Sequence, residues 1–196
     1  KVVWVSTDSE VYANISRDYG AEIPFIRPNY LATDSASSSD VVLHAMHFAN
    51  SKGLEFEYIG LLEPTSPFIL SHQLETILEK LEIDSDATAI VSTRESRPNR
   101  IFIQNESRFL NEIALNINTN LKLGRQNFNK EITPSGGIYI SKWNSFLKNK
   151  TFYTSKTLSF LLEDNISGLE IDEMIDWQFA EFIVSQRIFD VNMLFD

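Results

Sequence analysis

Strand-like and helix-like stretches alternate along nearly the whole of this 196-residue chain, and that alternation confines it to the α/β class. Val2 to Ser6 is an apolar, β-branched run, and Thr7-Asp8-Ser9-Glu10 then has capping-box spacing. Val11, Ile15 and Tyr19 fall on one helical face, and Gly20 ends that helix. Residues 22–26 predict a short strand closed by Arg27-Pro28. A polar loop from Thr33 to Ser39 leads into a helix over about 39–51, stopped near Gly53. Phe56 to Leu62 is nearly all apolar, the mark of a strand buried on both faces. Pro64-Thr65-Ser66-Pro67 breaks the chain before a helix at about 71–82. Ala87 to Ser92 and Ile101 to Ile103 predict strands, and residues 105–133 are polar and poorly periodic. Gly136 to Ile140 returns to strand and 142–149 to a short helix. Near the end, Ile175, Phe179, Phe182 and Ile183 make an amphipathic stripe. There is no internal repeat or domain linker, so the rhythm predicts one domain over 1–196, built on a largely parallel sheet.

In such a sheet ligands bind beyond the carboxyl ends of the strands. The loops after Ser6, Leu62 and Asp172 are therefore expected around one crevice, bringing together Asp8, Pro64 to Pro67, and the acids Glu170 and Asp172. Those two acids stand at i and i+2 of an expected strand and so share a face. Like charges held that close repel unless a cation or proton intervenes. Oxygen-only ligands suit magnesium, which takes one or two carboxylates together with substrate phosphates. The alternative is a solvated strand end with Asp172 as a helix N-cap. His44 and His47 lie i, i+3 on a helix and His72 begins another; partial burial explains them as well as metal binding does, and they form no Ser-His-Asp arrangement.

Composition narrows the class of ligand. Hydrophobic residues make up 43% and charged residues 22%, the balance of a globular chain rather than a disordered one. No run approaches the roughly 18 apolar residues that span a bilayer, and Lys1-Val2-Val3-Trp4-Val5 is wrongly flanked for a secretion signal. With no cysteine, disulfides and thiolate metal sites are excluded, and a cytoplasmic address fits. The net charge of −10 argues against a nucleic-acid partner. It is compatible with a phosphorylated small molecule, because a divalent cation and a few local Arg and Lys offset the field.

Six segments in register then resemble the acylneuraminate cytidylyltransferases, the CMP-sialic acid synthetase family. They are Val5-Ser6-Thr7-Asp8; Gly20-Ala21-Glu22 with Arg27-Pro28; Leu31-Ala32-Thr33-Asp34-Ser35-Ala36-Ser37; Leu61-Leu62-Glu63-Pro64-Thr65-Ser66-Pro67; Ser135-Gly136-Gly137-Ile138-Tyr139-Ile140; and Glu170-Ile171-Asp172 with Asp176 and Ala180-Glu181. The resemblance implies a three-layer α/β/α, Rossmann-like nucleotide-diphospho-sugar transferase fold with a mainly parallel mixed sheet. It implies a reaction in which CTP and a nine-carbon 2-keto sugar acid give the CMP-sugar and pyrophosphate, with Mg2+. The chemistry asks for positioning and for charge neutralisation at the phosphates. Glu170 and Asp172 match the metal-binding acidic positions, where many relatives have Asp in place of Glu170. Arg27 and the loop carrying Asp34, Ala36 and Ser37 match the nucleotide-binding segment. Arg27 also reads as a surface arginine beside a proline, and Ser37 as a capping box with Asp40. On the sugar side, Glu63, Arg100, Arg125 and Tyr139 match pocket positions, and arginine grips a carboxylate bidentately. Phe152 and Tyr153 match an aromatic pair that reaches a neighbouring subunit, although plain core explains Phe152 on its residues alone. A homodimer is implied, with about 125–165 crossing to the partner.

Two positions depart from the family. Glu63 stands where sialic-acid-activating relatives have Gln, and an ionised Glu only accepts hydrogen bonds. Ile69 lies near where relatives carry an arginine. Both point to a relative of sialic acid, such as legionaminic or pseudaminic acid, as the sugar. Other readings are a CMP-Kdo-type nucleotidyltransferase and a non-catalytic homologue kept as a binding module. The chain opens inside a strand, without the strand and glycine-rich phosphate-binding loop that such a domain leads with. The expectation is that residues 1–196 alone do not turn over, and an assay of CMP-sugar formation checks it.

Overall fold

Short polar side chains set where the first helices begin. The computed structural model describes residues 2–96, 102–104, 110–112 and 131–194. Helix α1 (Glu10–Asp18) is capped by Ser9, whose hydroxyl accepts the Tyr12 N–H at 3.4 Å. The cap is thus two residues later than the capping-box spacing suggests, because the Thr7 hydroxyl accepts the Ser9 N–H at 3.2 Å instead. Helix α2 (Ser38–Ser51) has the expected cap: Ser37 accepts the Asp40 N–H at 3.1 Å and donates to the Asp40 carboxylate at 2.7 Å. Then follow β1 (Tyr58–Leu62), α3 (Ser71–Ile83), β2 (Ala89–Ser96), β3 (Phe102–Gln104), β4 (Leu110–Glu112), β5 (Glu131–Lys142), α4 (Trp143–Asn149), β6 (Thr157–Leu161) and α5 (Met174–Ser185).

The main sheet has the order β1-β5-β2-β6, and β3 and β4 form a separate antiparallel pair. The sheet is mixed. β1 runs antiparallel to β5, from Tyr58 opposite Lys142 to Leu62 opposite Ile138. β1 is an edge of this sheet among the described residues, so it is not the doubly buried strand that its apolar run suggested; Leu62 is 47% exposed. The two N-terminal strand expectations shrink to a single parallel bridge between Trp4 and Glu22. Pro24 explains part of this, since it offers no N–H to continue a ladder.

The chain divides into two compact units, Lys1–Leu62 with Leu74–Val91 and Ile138–Leu158, and Glu63–Gln73 with Ser92–Gly137 and Ser159–Asp196. In the first, Val42, Met46 and Ala49 recur on one face of α2 and pack with Val91, Trp143, Phe146 and Phe152. Phe146 is fully buried, its ring 4.6 Å from that of Phe152. In the second, Phe68, Leu70, Ala180, Ile183 and Phe189 form the core, with the Phe68 and Phe189 rings 5.0 Å apart.

Both apolar stripes read from the sequence face outward in large part. On α5, Ile183 is buried but Ile175, Phe179 and Phe182 are 64%, 52% and 51% exposed. The buried face is the narrower one of Ala180 and Ile183, where a small residue lets the helix approach its neighbours. On α1, Ala13 is buried while Val11, Ile15 and Tyr19 are exposed. Truncation of Phe146 to Ala is expected to cost about 3–5 kcal/mol, whereas Val11→Ser changes stability by less than about 0.5 kcal/mol. Thermal or urea unfolding of both variants checks this contrast.

Candidate active site

In the second unit the residues around Glu170 are positioned mostly by backbone. The segment from Leu169 to Asp172 is irregular rather than the expected strand. It is fixed by the Ile171 N–H, which donates to the Thr65 carbonyl at 2.8 Å and so ties the acids to the Pro64–Pro67 turn. The cap of α5 also differs from expectation: Glu173, not Asp172, is the N-cap. The Asp176 carboxylate accepts the N–H groups of Asp172 at 3.1 Å and Glu173 at 2.8 Å. Asp176 therefore does the work that Asp172 would have done, and the Asp172 side chain stays exposed at the surface.

Glu170 lies against Gly136. That glycine has φ +74, a left-handed conformation, and a Cβ there would run into the Glu170 carboxylate. Its neighbour Gly137 accepts the Glu63 N–H at 3.3 Å, and the Glu63 carbonyl accepts the Ser66 N–H at 3.1 Å. Ile69 covers Gly137, its Cδ1 2.8 Å from where a Cβ would stand. Burial pushes the Glu170 carboxyl above the usual carboxylate range, the charge of Asp172 pushes it further, Arg94 opposes the rise and Glu63 adds to it. Glu63, Glu170 and Asp172 thus form one electrostatic neighbourhood with Arg94.

Arg94 went unread in the sequence. It stands on the last turns of β2, whose expected end was Ser92, and it donates to the Gly168 carbonyl at 3.2 Å. The signal was the strand run continuing through Thr93-Arg94-Glu95. Behind these groups lie paired buried polar side chains. Ser135 donates to Ser92 at 2.6 Å, and Gln73 accepts the Leu70 N–H at 2.9 Å while donating to Ser167 at 3.0 Å. Asp164 accepts the N–H groups of Ile166 at 2.9 Å and Ser167 at 2.6 Å. Burial alone would raise the Asp164 carboxyl, but the bonds from Ser167 and Ile166 outweigh it and hold it below the usual range.

The donor set suits a hard cation. Glu170 and Asp172 offer oxygen only, and their mutual repulsion favours a bound positive charge. Among the described residues no group of three or more His, Cys, Asp or Glu is arranged as a complete metal cage. Magnesium does not need one, because it usually keeps waters and binds through one or two carboxylates and phosphates.

The first unit holds the other expected residues. The Arg27 backbone N–H donates to Thr7 O at 2.8 Å, and its guanidinium is 3.8 Å from Asp8. Asp34 is exposed and Ala36 half-buried, the Ala36 N–H donating to Thr33 O at 2.9 Å. A cavity of about 420 Å³ is lined here by Thr33, Ser35, Ala36, Asp40, His44 and His47. Ser37 serves as the cap of α2. The His44 ring sits edge-on to Phe25 at 4.6 Å, and burial, then His47, push its pKa down. Tyr139 lies 5.5 Å from Phe152, which is core, and 6.3 Å from Tyr153, which is half-exposed. Arg100 and Arg125 lie outside the described residues.

No family model matches the chain. It is 32% identical over 188 residues to an N-acylneuraminate cytidylyltransferase of Escherichia coli O18:K1:H7, covering 94% of this chain but 42% of that one. It is 28% identical to a CMP-N,N'-diacetyllegionaminic acid synthase of Legionella pneumophila, over 90% of this chain and 75% of the relative. It is 25% identical to a pseudaminic acid cytidylyltransferase of Campylobacter jejuni, over 91% and 76%. The chain thus spans less than half of the first relative and about three quarters of the other two. In fold it matches a solved CMP:2-keto-3-deoxy-manno-octonic acid synthetase complexed with CTP, with TM-score 0.62 and 14% identity over 95% of this chain and 82% of that one. The resemblance in the six sequence segments is therefore matched over nearly the whole chain.

The raised Glu170 carboxyl has a consequence for stability. Between the usual carboxylate range and its raised value the native state holds more protons than the unfolded state, so stability falls as pH rises through that window. In EDTA, Glu170→Gln is expected to melt above the wild type at neutral pH, with the gap closing by about pH 4. Melting curves at the two pH values check it; a lower melting temperature at neutral pH would contradict it.

Proposed function

We propose that this chain is part of a protein that carries out cytidylyl transfer: CTP and an acidic nine-carbon 2-keto sugar give a CMP-sugar and pyrophosphate. The observation that carries the reading is the cluster of Glu63, Glu170 and Asp172 on segments stitched to the Pro64–Pro67 turn. It is supported by curated relatives whose names specify sialic, legionaminic and pseudaminic acids.

In this reading the anomeric hydroxyl oxygen bonds to the α-phosphorus while the bond from that phosphorus to the β-phosphate oxygen breaks. Pyrophosphate leaves with the oxygen, and the hydroxyl proton is released to water. Glu170 and Asp172 would hold Mg2+, which when bound supplies charge neutralisation at the phosphates. Asp176 holds the backbone of Asp172 and Glu173, and Gly136 leaves the space that the Glu170 carboxylate needs. Glu63, as an acceptor only, suits a sugar hydroxyl or amide N–H and disfavours a carboxylate beside it. That selects among sialic acid and its relatives.

For the nucleotide this proposal takes Arg27 and the loop of Asp34, Ala36 and Ser37, where a cavity of about 420 Å³ has both polar and apolar lining. The proposal takes the active assembly to be a homodimer, in which Tyr153, half-exposed beside Tyr139, would reach a second subunit. The compartment in this proposal is the cytoplasm. Among the described residues no helix is long and apolar enough to cross a membrane.

The test is pyrophosphate release by the full-length protein with CTP, Mg2+ and a panel of sialic, legionaminic and pseudaminic acids. Release with one acid and its loss in EDTA are the expected results. Glu170→Gln and Asp172→Asn should each lower kcat/KM by about 100-fold or more, the scale of one lost charge-stabilising group. Silence across the panel from a folded, CTP-binding protein would overturn the reading.

A further inference from the structure

A second cavity, of about 430 Å³, lies wholly in the unit that carries Glu170. Arg94 and Ser96 of β2, Thr133 of β5, and Asp164, Asn165 and Leu169 of the following turn line it. Its size falls in the range of small-molecule sites. It adjoins the acids through Arg94, which faces Glu170 and is bonded to the Gly168 carbonyl two residues before it.

One wall, the turn from Asp164, is braced by hydrogen bonds. Asp164 holds the turn by accepting from Ile166 and Ser167, and Ser167 is in turn held by Gln73. A wall so braced does not have to order itself around a ligand. The charge of the lining selects the ligand. Arg94 is opposed by Glu95 and Asp164 on the lining and by Glu170 beyond it. A carboxylate or phosphate entering here would meet more negative charge than positive. Ser96 and Thr133 hydroxyls and the Asn165 amide both donate and accept, which suits neutral hydroxyl and amide groups. Leu169 adds an apolar surface of the size that an acyl methyl would cover.

We propose that this cavity is the subsite for the uncharged part of the sugar, its hydroxyls and acylamino groups, with Ser96, Thr133 and Asn165 reading them. The inference rests on the cytidylyl-transfer reading and adds to it where the sugar's distinguishing substituents go. It also gives a physical basis for discrimination among acidic sugars that share a carboxyl end and differ in acylamino groups, because hydroxyl and amide side chains pair with those groups and not with a missing one.

Arg94 is unsuitable as the test residue because it faces Glu170. Asn165→Ala, Ser96→Ala and Thr133→Val stand on three different elements, so failure of one to fold leaves the others. The measurement is steady-state pyrophosphate release by the full-length protein, varying sugar and CTP separately. Each variant should raise the sugar KM about 3- to 10-fold, the scale of one lost hydrogen bond, with kcat at saturating sugar and the CTP KM within about 2-fold. The penalty should shrink for a sugar lacking the acylamino group in at least one variant. Turnover with an unchanged sugar KM in all three would overturn the subsite and leave the reaction standing. A rise in CTP KM alone would also overturn it, assigning the cavity to the nucleotide. No turnover by the wild type with any acid would overturn the reaction and the subsite together.

Discussion

The repulsion among Glu63, Glu170 and Asp172 is the constraint that much of the second unit serves. Two unit charges 4 Å apart near a protein surface oppose each other by about 4 kcal/mol, so nothing in the side chains themselves would gather three carboxylates. Backbone does it. The Ile171 N–H is bonded to Thr65, the Glu63 N–H to Gly137, and the helix behind the acids starts at Glu173 with Asp176 bonding back, so none of the three caps it. Gly136, in a left-handed conformation, removes the side chain that would occupy the space of the Glu170 carboxylate. Arg94 offsets part of the charge. What remains is a pair of carboxylates whose repulsion a bound cation would relieve.

Buried polar pairs extend this bracing away from the acids. Ser92 with Ser135, and Gln73 with Ser167 and the Leu70 N–H, satisfy one another where unpaired groups would each cost about 1–3 kcal/mol. They tie β2, β5 and the turn before Glu170 to fixed positions, and a metal or substrate site needs that order of placement. The first unit is built differently, on an aromatic and aliphatic core around Met46, Phe146 and Phe152. Its polar loop at Thr33 to Ser37 stands on the capped start of α2, so the expected nucleotide loop inherits its position from a helix terminus.

The sequence was most legible where chemistry is local. Ser37 and Asp40 spelled the start of α2, and the runs at 56–62, 71–82 and 136–140 became β1, α3 and the heart of β5. It was least legible where tertiary contacts choose between similar faces. The stripes Val11-Ile15-Tyr19 and Ile175-Phe179-Phe182 have the periodicity of buried faces, yet Ala13 and Ala180 turn inward, because a small residue packs more closely. The strands at 2–6 and 22–26 depend on pairing, which local composition does not specify. Glu170, Asp172 and Glu63 were legible as acids in a motif, but not their backbone supports. Arg94 left only the faint signal of a strand run continuing past Ser92, and the cavity with Asn165 left none, since it depends on the turn at 164–169.

The central claim is that Glu170 and Asp172 hold the divalent cation of a bound nucleotide. Crystals of the full-length protein grown with CTP and Mn2+ in place of Mg2+ test it directly through anomalous scattering. The expected result is a peak at the Glu170 and Asp172 carboxylates, absent from Glu170→Gln crystals. A peak held by the phosphates and other residues, with Glu170 and Asp172 unligated, would contradict it.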